Sequence, residues 1–485
     1  MSDKNVAIKG GIWTSISMAF TMLATMGRVM ILTRFLDKSD FGLVSITNMV
    51  IALCSTFTDL GFASVIMYRQ KFNEREFSSL YWIQFILFFI IYSVIAIISP
   101  FIASFYNEPI LTMILPIAAL SIVFQGIGKL YDSVLQKKYM FRQLAYRNII
   151  SNIASLFIAV FLAWKGYGVY SLVYSTLFQI IIINIWNFVS GVKIQKPKFV
   201  LDFKEVIPLI KIGIYQTGTR ILDFFSGKLD VLIIGKLLGT EALGVYDLSK
   251  ELVFKLVDFV RSVVSKVALP ILSNNNNDDD VVKTRFLQVT KIVAFMCIPI
   301  CATVAVFSRD FVTIMYGSNY VESAPLVSIF AIVTIFTSIT SFFDMLGVAK
   351  GRTDLNFKNT IYRIILTTPV IALTSLISLQ AVAWGQLVVT LIMVVLFWYI
   401  VVQKTYPISF KVYYSQFDRI LIVTSSVAIL VSILIYIVNV FTFIDNYLLR
   451  FAMYFGSYIS LVIFVSYLYL KEDIGLFLKL IRKQR

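Results

Sequence analysis

The chain has 485 residues, 59% of them hydrophobic and 14% charged, with 43 Lys and Arg against 27 Asp and Glu and a net charge of +16. A mean hydropathy of +0.84 excludes an ordinary soluble domain. The absence of histidine excludes imidazole acid-base catalysis, and Cys54, Cys297 and Cys301 all fall in apolar stretches, so neither a metal site nor a disulfide framework is expected.

In chain order, Met1 to Lys9 is short and polar, unlike a cleaved signal peptide. Apolar runs long enough to cross about 30 Å of hydrocarbon follow at 11–33, 42–66, 80–104, 112–134, 147–165, 168–190, 213–235, 243–272, 286–308, 324–349, 359–377, 380–402, 419–440 and 446–470. They predict an all-α polytopic membrane protein of about fourteen transmembrane helices, arranged as six, six and a trailing pair. With the N-terminus inside, the loops on the inner side carry 28 Lys and Arg, including Lys137 to Arg147 and Lys193 to Lys211. The outer side carries five: Arg34, Lys38, Lys165, Lys236 and Arg309. Basic residues gather on the cytoplasmic side, so both termini are expected there, and the net charge is read as apposition to anionic lipid with no nucleic acid invoked.

The outer loops are too short for an extracytoplasmic domain. The longest soluble connector, around 191–211, reads as a lobe linker whose Lys193-Ile194-Gln195-Lys196-Pro197-Lys198 run is amphipathic and lipid-facing; the Asn274 to Asp280 tract reads as a solvated spacer. The domains expected are therefore an N-lobe at 1–190, a linker at 191–211, a C-lobe at 212–403, and a final pair of helices with a basic tail at 404–485. No phosphate-cradling glycine loop is present, so ATP hydrolysis by this chain is not expected.

The chain repeats itself. Gly11-Ile12-Trp13 is answered by Gly213-Ile214-Tyr215, Arg28 to Leu36 by Asp230 to Leu238, and Phe41-Gly42 by Leu243-Gly244, all at an offset of 202. Phe101 to Tyr106 matches Phe311 to Tyr316 at 210, after a small insertion. Two homologous bundles are a common plan for transporters.

Charges inside spans are costly and rank as functional candidates. Span seven places Gln216, Arg220, Asp223, Gly227 and Asp230 on one helical face, with Lys228 nearby. Span eight carries Asp247, Lys250, Glu251, Lys255, Asp258, Arg261 and Lys266 on an arc of about 160°. Span one adds Arg28, with Ser17 and Thr21 on its side, and span two adds Asp59. The offset sets Arg28 and Asp230 at equivalent depth, where they are candidates to meet. Two roles are open to each charge: a wall of a watery cavity, or a structural partner at i,i+4 (Glu251 with Lys255) or i,i+3 (Lys255 with Asp258, Asp258 with Arg261).

Arg34-Phe35-Leu36 followed by Asp40-Phe41-Gly42-Leu43, Asp59-Leu60-Gly61-Phe62, and Leu135 to Arg142 (LQKKYMFR) resemble the polysaccharide transporter branch of the multidrug/oligosaccharidyl-lipid/polysaccharide exporter superfamily, with the Wzx-type O-antigen flippases nearest in kind. The resemblance implies two pseudo-symmetric six-helix lobes around a central cavity with two C-terminal helices alongside, in a bacterial inner membrane. It implies no enzyme activity. It implies a flippase that carries undecaprenyl-diphosphate-linked oligosaccharides to the outer leaflet by alternating access, for O-antigen, capsule or exopolysaccharide synthesis. The polymerase and chain-length regulator of the same pathway would be partners. A diphosphate cannot cross hydrocarbon without cationic company, so Arg28, Arg220, Lys228, Lys250, Lys255 and Arg261 are the candidates to hold it. Asp59, Asp223, Asp230, Asp247, Glu251 and Asp258 are candidates for gate pairs or coupling to protons or sodium, with no other cofactor. Two alternatives remain. A drug:cation antiporter of the same superfamily typically carries an acidic residue in the first span, where this chain has Arg28; a glycan polymerase or ligase generally presents a large outer loop, which is not found here.

Overall fold

A computed structural model describes residues 3–58, 66, 73–273, 279–441 and 453–462. Among the described residues the regular structure is entirely helical. The helices are α1 (Asp3–Leu32), α2 (Lys38–Thr58), α3 (Glu74–Tyr106), α4 (Leu111–Lys137), α5 (Phe141–Trp164), α6 (Val169–Val192), α7 (Phe203–Leu237) and α8 (Gly239–Ser273). They continue with α9 (Asp279–Val306), the short α10 (Ser308–Tyr316), α11 (Ala324–Thr340), α12 (Phe343–Ala349), α13 (Thr353–Ser375), α14 (Leu379–Phe397), the short α15 (Phe410–Tyr414), α16 (Asp418–Phe441) and a last stretch at Met453–Val462.

Nine helical segments among the described residues are long and apolar enough to span a bilayer. Spans seven and eight of the sequence become α7 and α8, each 35 residues long, or about 50 Å at 1.5 Å per residue. Their charges, not their length, set them apart from the apolar spans. Local chemistry marks the helix ends. Glu76 accepts from the Asn73 backbone N–H at 3.3 Å where α3 starts, and α3 stops at Asn107, which takes the left-handed conformation (φ 59°) that Asn tolerates. Ser378 caps α14 by accepting from the Ala381 N–H at 3.1 Å. Side chains such as Phe101, Phe157 and Leu373 stand mostly exposed along the helices, as surfaces that meet lipid do.

The chain divides into two compact units, Met1–Asp247 and Leu248–Arg485. In the first, α4 packs on α3 and α6, α5 on α1 and α6, and α2 on α7. One buried cluster, near the start of α3, gathers Phe77, Leu80, Tyr81, Leu130, Tyr131 and Val134. The division falls within α8, because the first turns of that helix pack against α2.

In the second unit α9 packs on α11 and α16, and α14 on α11 and α13. Phe286, Phe343, Phe397 and Tyr413 form an aromatic knot, and the Tyr413 hydroxyl donates to the Ile339 carbonyl at 3.1 Å. Where α12 turns into α13, Arg352 forks onto both carboxylate oxygens of Asp354 at 2.8 and 3.1 Å. Lys350 holds both oxygens of Asp279 at 2.6 and 2.7 Å.

The Arg352 hydrogen bond holds the Asp354 carboxyl below its ordinary pKa of 3.8. A carboxylate depressed by folding stabilises the fold above the ordinary value and loses that contribution as the pH falls through the lower folded value. Arg352→Gln is therefore expected to remove a small acid-side step, read as convergence of mutant and wild-type melting curves as the pH falls below the ordinary carboxylate value and a modest gap above it. Parallel curves through that fall in pH would show that the pair contributes nothing.

Candidate functional site

Several of the charges picked out by the sequence are held by local partners on neighbouring helices or turns. Arg28, half-buried on α1, donates from Nη1 to Ser155 Oγ on α5 at 2.9 Å. Ser155 is itself 1% exposed and gives its own proton to the Ser175 carbonyl on α6 at 2.9 Å. With that proton committed, the hydroxyl presents a lone pair to the guanidinium, and three helices fix the direction of Arg28.

On α7, Asp230 is 5% exposed. It accepts from the Tyr246 hydroxyl at 2.6 Å and from the Val231 N–H at 2.8 Å. Asp223 and Lys228 are exposed, Arg220 is half-buried, and no atom lies within 4 Å of where a side chain on Gly218 or Gly227 would begin. The α7 stripe thus combines an open stretch, from Arg220 to Lys228, with a closed end at Asp230. Asp59 and the side chains of Gln216 and Lys266 lie outside the described residues.

The repeat becomes geometry where α2 crosses the start of α8. Gly42 and Gly244 are 202 residues apart, and each touches the backbone of the other's helix. A Cβ on Gly42 would collide with the Thr240 carbonyl, and one on Gly244 with the Lys38 carbonyl and the Gly42 nitrogen. Lys38 and Thr240 are themselves a pair at 202. So are Ser45 and Asp247, whose side chains hydrogen-bond at 2.5 Å. The crossing is a pseudo-two-fold contact of equivalent positions, the self-complementary arrangement that such an axis requires. Lys38 reaches Glu241 at 3.8 Å, Thr240 donates to Glu108 at 2.7 Å, and Lys236 donates to the Phe105 carbonyl at 2.5 Å.

In the second unit, α8 carries Lys250, Glu251, Lys255, Asp258 and Arg261. Lys255 pairs back with Glu251, one turn away, and Arg261 pairs with Asp258 at 3.2 Å. Both pairs keep the i,i+4 and i,i+3 spacings of one helix, with Lys255 turned to Glu251 and not to Asp258. Arg261 also takes the Thr337 and Ser338 hydroxyls of α11 at 3.0 and 3.2 Å. Its side chain is 18% exposed while that of Asp258 is 61% exposed, so the guanidinium is anchored and the carboxylate faces outward. Lys250 lies over the Phe254 ring at 5.7 Å.

Arg147 departs from the reading of the sequence. Counted there as a loop cation, it lies within α5 and is 6% exposed. Its Nη1 meets Asp132 of α4 at 2.6 Å and also Asn187 of α6, while Nε and Nη2 fork onto Asn148 at 3.1 and 2.8 Å. The polar ladder continues along α5. Asn148 donates to Ser17 at 3.2 Å and Asn152 to Thr21 at 3.3 Å, and Gln179 donates to Asn152 at 3.1 Å. Arg147, Ser151 and Ser155 recur at steps of four, with Asn148 and Asn152 in the adjacent row, a helical stripe that the spacing makes legible. A search for charges inside spans passes over it, because most of its members are uncharged.

Against known proteins, the family model described as "Polysaccharide biosynthesis protein" matches residues 31–325. The chain is 28% identical over 361 residues to the teichuronic acid biosynthesis protein TuaB of Bacillus subtilis (strain 168), covering 72% of each. It is 23% identical over 423 residues to the lipopolysaccharide biosynthesis protein WzxC of Escherichia coli (strain K12), covering 85% of this chain and 84% of that one. Among solved structures, the lipid II flippase MurJ in an inward closed conformation superposes with a TM-score of 0.74 at 17% identity, over 97% of this chain and 100% of the other. The fold is that of MurJ.

Proposed function

We infer function from one premise: this chain, a multi-pass membrane protein, belongs to the polysaccharide biosynthesis protein family. On that premise it is a flippase, not an enzyme, and its cargo is a polyprenyl-diphosphate-linked oligosaccharide moved from the inner to the outer leaflet of a bacterial plasma membrane. The observation that carries this reading is the MurJ fold along nearly the whole chain, in a family whose relatives serve lipopolysaccharide and teichuronic acid synthesis. The chemistry supports it. A diphosphate needs charge-assisted donors if it is to leave water, and Arg28, Arg220 and Arg261 supply guanidinium groups on helices α1, α7 and α8.

The finer assignments belong to the same proposal. Both termini lie on the cytoplasmic side, as the split of basic residues supports. Fourteen spans form two lobes and a trailing pair, with boundaries at 190, 211 and 403. Arg28, Arg220, Lys228, Lys250, Lys255 and Arg261 receive the anionic headgroup; the carboxylates Asp59, Asp223, Asp230, Asp247, Glu251 and Asp258 supply gate pairs or take up the coupling proton or sodium. A polymerase and a chain-length regulator take the product.

The test is complementation in a cell that lacks its own glycan flippase, following lipid-linked repeat units by leaflet. Wild type is expected to restore outer-leaflet intermediates. Arg220→Ala and Arg261→Ala, at matched membrane expression, are expected to lose at least about tenfold in export, as removal of one charge-assisted contact implies. Full export by both mutants would return those arginines to a structural role. Wild type that fails to export while it expels drugs would sink the flippase reading.

A further inference from the structure

The connector between α6 and α7 is held as a strap. It leaves the α6 C-terminus through a turn at Lys193 and Ile194 and is pinned across the start of α3 by side chains. Ser78 Oγ accepts from the Lys198 N–H and Ser79 Oγ from the Asp202 N–H, both at 2.9 Å. Trp82 Nε1 donates to the Lys198 carbonyl at 2.9 Å, and the Tyr131 hydroxyl of α4 donates to the Gln195 carbonyl at 3.1 Å. Lys198 also pairs with Glu74. A linker that only joined two bundles would need none of these bonds, since solvated chain satisfies its own polar groups with water.

The fixed strap turns an unusual surface outward. Phe199 is 90% exposed, stacked at 4.7 Å and 22° on Trp82, with Ile194 at 39% and Leu201 at 43% beside it. Lys193, Lys196 and Arg75 are also exposed. The strap lies where α3 begins and α6 ends, and the ends of spanning helices mark the membrane-water boundary. Aromatic rings settle at that depth, and lysines beside it meet anionic headgroups.

We propose that the strap at 193–202, together with Trp82 and Arg75, is a docking surface for anionic phospholipid. Phe199 and Leu201 enter the acyl boundary of the leaflet; Lys193 and Lys196 hold the headgroup phosphates. Because α7 starts at Phe203, directly after the strap, bound lipid sets the depth at which that charged helix begins. The proposal does not depend on what the protein transports.

The test uses the full-length protein in nanodiscs of phosphatidylcholine alone or with phosphatidylglycerol, carrying a nitroxide at Leu201→Cys. In discs with phosphatidylglycerol the label is expected to be open to oxygen and shielded from a water-soluble nickel chelate. Native mass spectrometry is expected to show phosphatidylglycerol retention falling about five-fold for each lysine lost, roughly 25-fold for Lys193→Gln with Lys196→Gln, while the melting temperature in detergent stays that of wild type. Unchanged retention in the double variant would overturn the proposal, as would a label equally open to the chelate in bilayer and detergent. Shielding that appears only in native vesicles and never in nanodiscs would also overturn it, and would assign the surface to a protein partner.

Discussion

Asp132→Ala is expected to lower the melting temperature in detergent by about 6–12 °C and to deplete the protein from membranes. The reason is what the substitution leaves behind. Arg147 is 6% exposed, and a guanidinium cannot shed its charge by losing a proton. Removing one partner of a buried ion pair costs about 3–5 kcal/mol, because the surviving charge stays buried without its counter-ion. The Asp132 side chain is 29% exposed, so water offsets part of the loss and the lower end of that range, near 3 kcal/mol, applies. At about 2–4 °C per kcal/mol for a unit of this size, the shift follows.

The companion variants separate charge from packing. Arg147→Lys keeps the charge but lacks the fork that reaches Asp132, Asn187 and Asn148 together, so it should lie between wild type and Asp132→Ala. Replacing both partners, Arg147→Met with Asp132→Leu, removes the stranded cation and is expected to recover most of the stability. Export measured on that double variant then shows whether the ladder serves more than the fold. A melting temperature for Asp132→Ala within 2 °C or so of wild type would mean that the pair is solvated and structurally idle.

Arg147 also shows where the sequence stopped being legible. Hydropathy places this span at 147–165, yet α5 begins at Phe141. A helix crosses the interface before it reaches hydrocarbon, so its first turns are polar and resemble loop. Asp132 sits inside an apolar run and draws little attention there, because its partner is 15 residues away across a turn. Contacts of short sequence separation on one helix were readable. Glu251 with Lys255 and Asp258 with Arg261 follow from 3.6 residues per turn alone. The hydroxyls that fix Arg28 and Arg261, Ser155 and Thr337 with Ser338, were invisible because Ser and Thr are common in membrane helices for several unrelated reasons. The repeat carried further than either. An offset of 202 names the residues that a pseudo-two-fold axis brings together, and Gly42 with Gly244 and Ser45 with Asp247 are such pairs.

Those glycines bear the second large effect. Gly244→Ala or Gly42→Ala is expected to part α2 from the first turns of α8, since each new methyl meets main-chain atoms that cannot rotate away. Overpacking of this kind costs about 1–3 kcal/mol, and Ser45 with Asp247, one turn along, separates with it. The two substitutions act on one gap, so the second should add little to the first, a strongly non-additive pair. Gly11→Ala is the control. Nothing lies within 4 Å of its added methyl, and helix propensity makes it neutral or favourable by up to about 1 kcal/mol. A cysteine at Ser45 reports the result: it is expected to resist a water-soluble maleimide in an otherwise wild-type protein and to react at least several-fold faster beside Gly244→Ala. Equal rates would show that the crossing tolerates a methyl and does not hold the helices together. A faster rate with export abolished would show that this contact must close for transport, whereas a faster rate with export intact would confine it to stability.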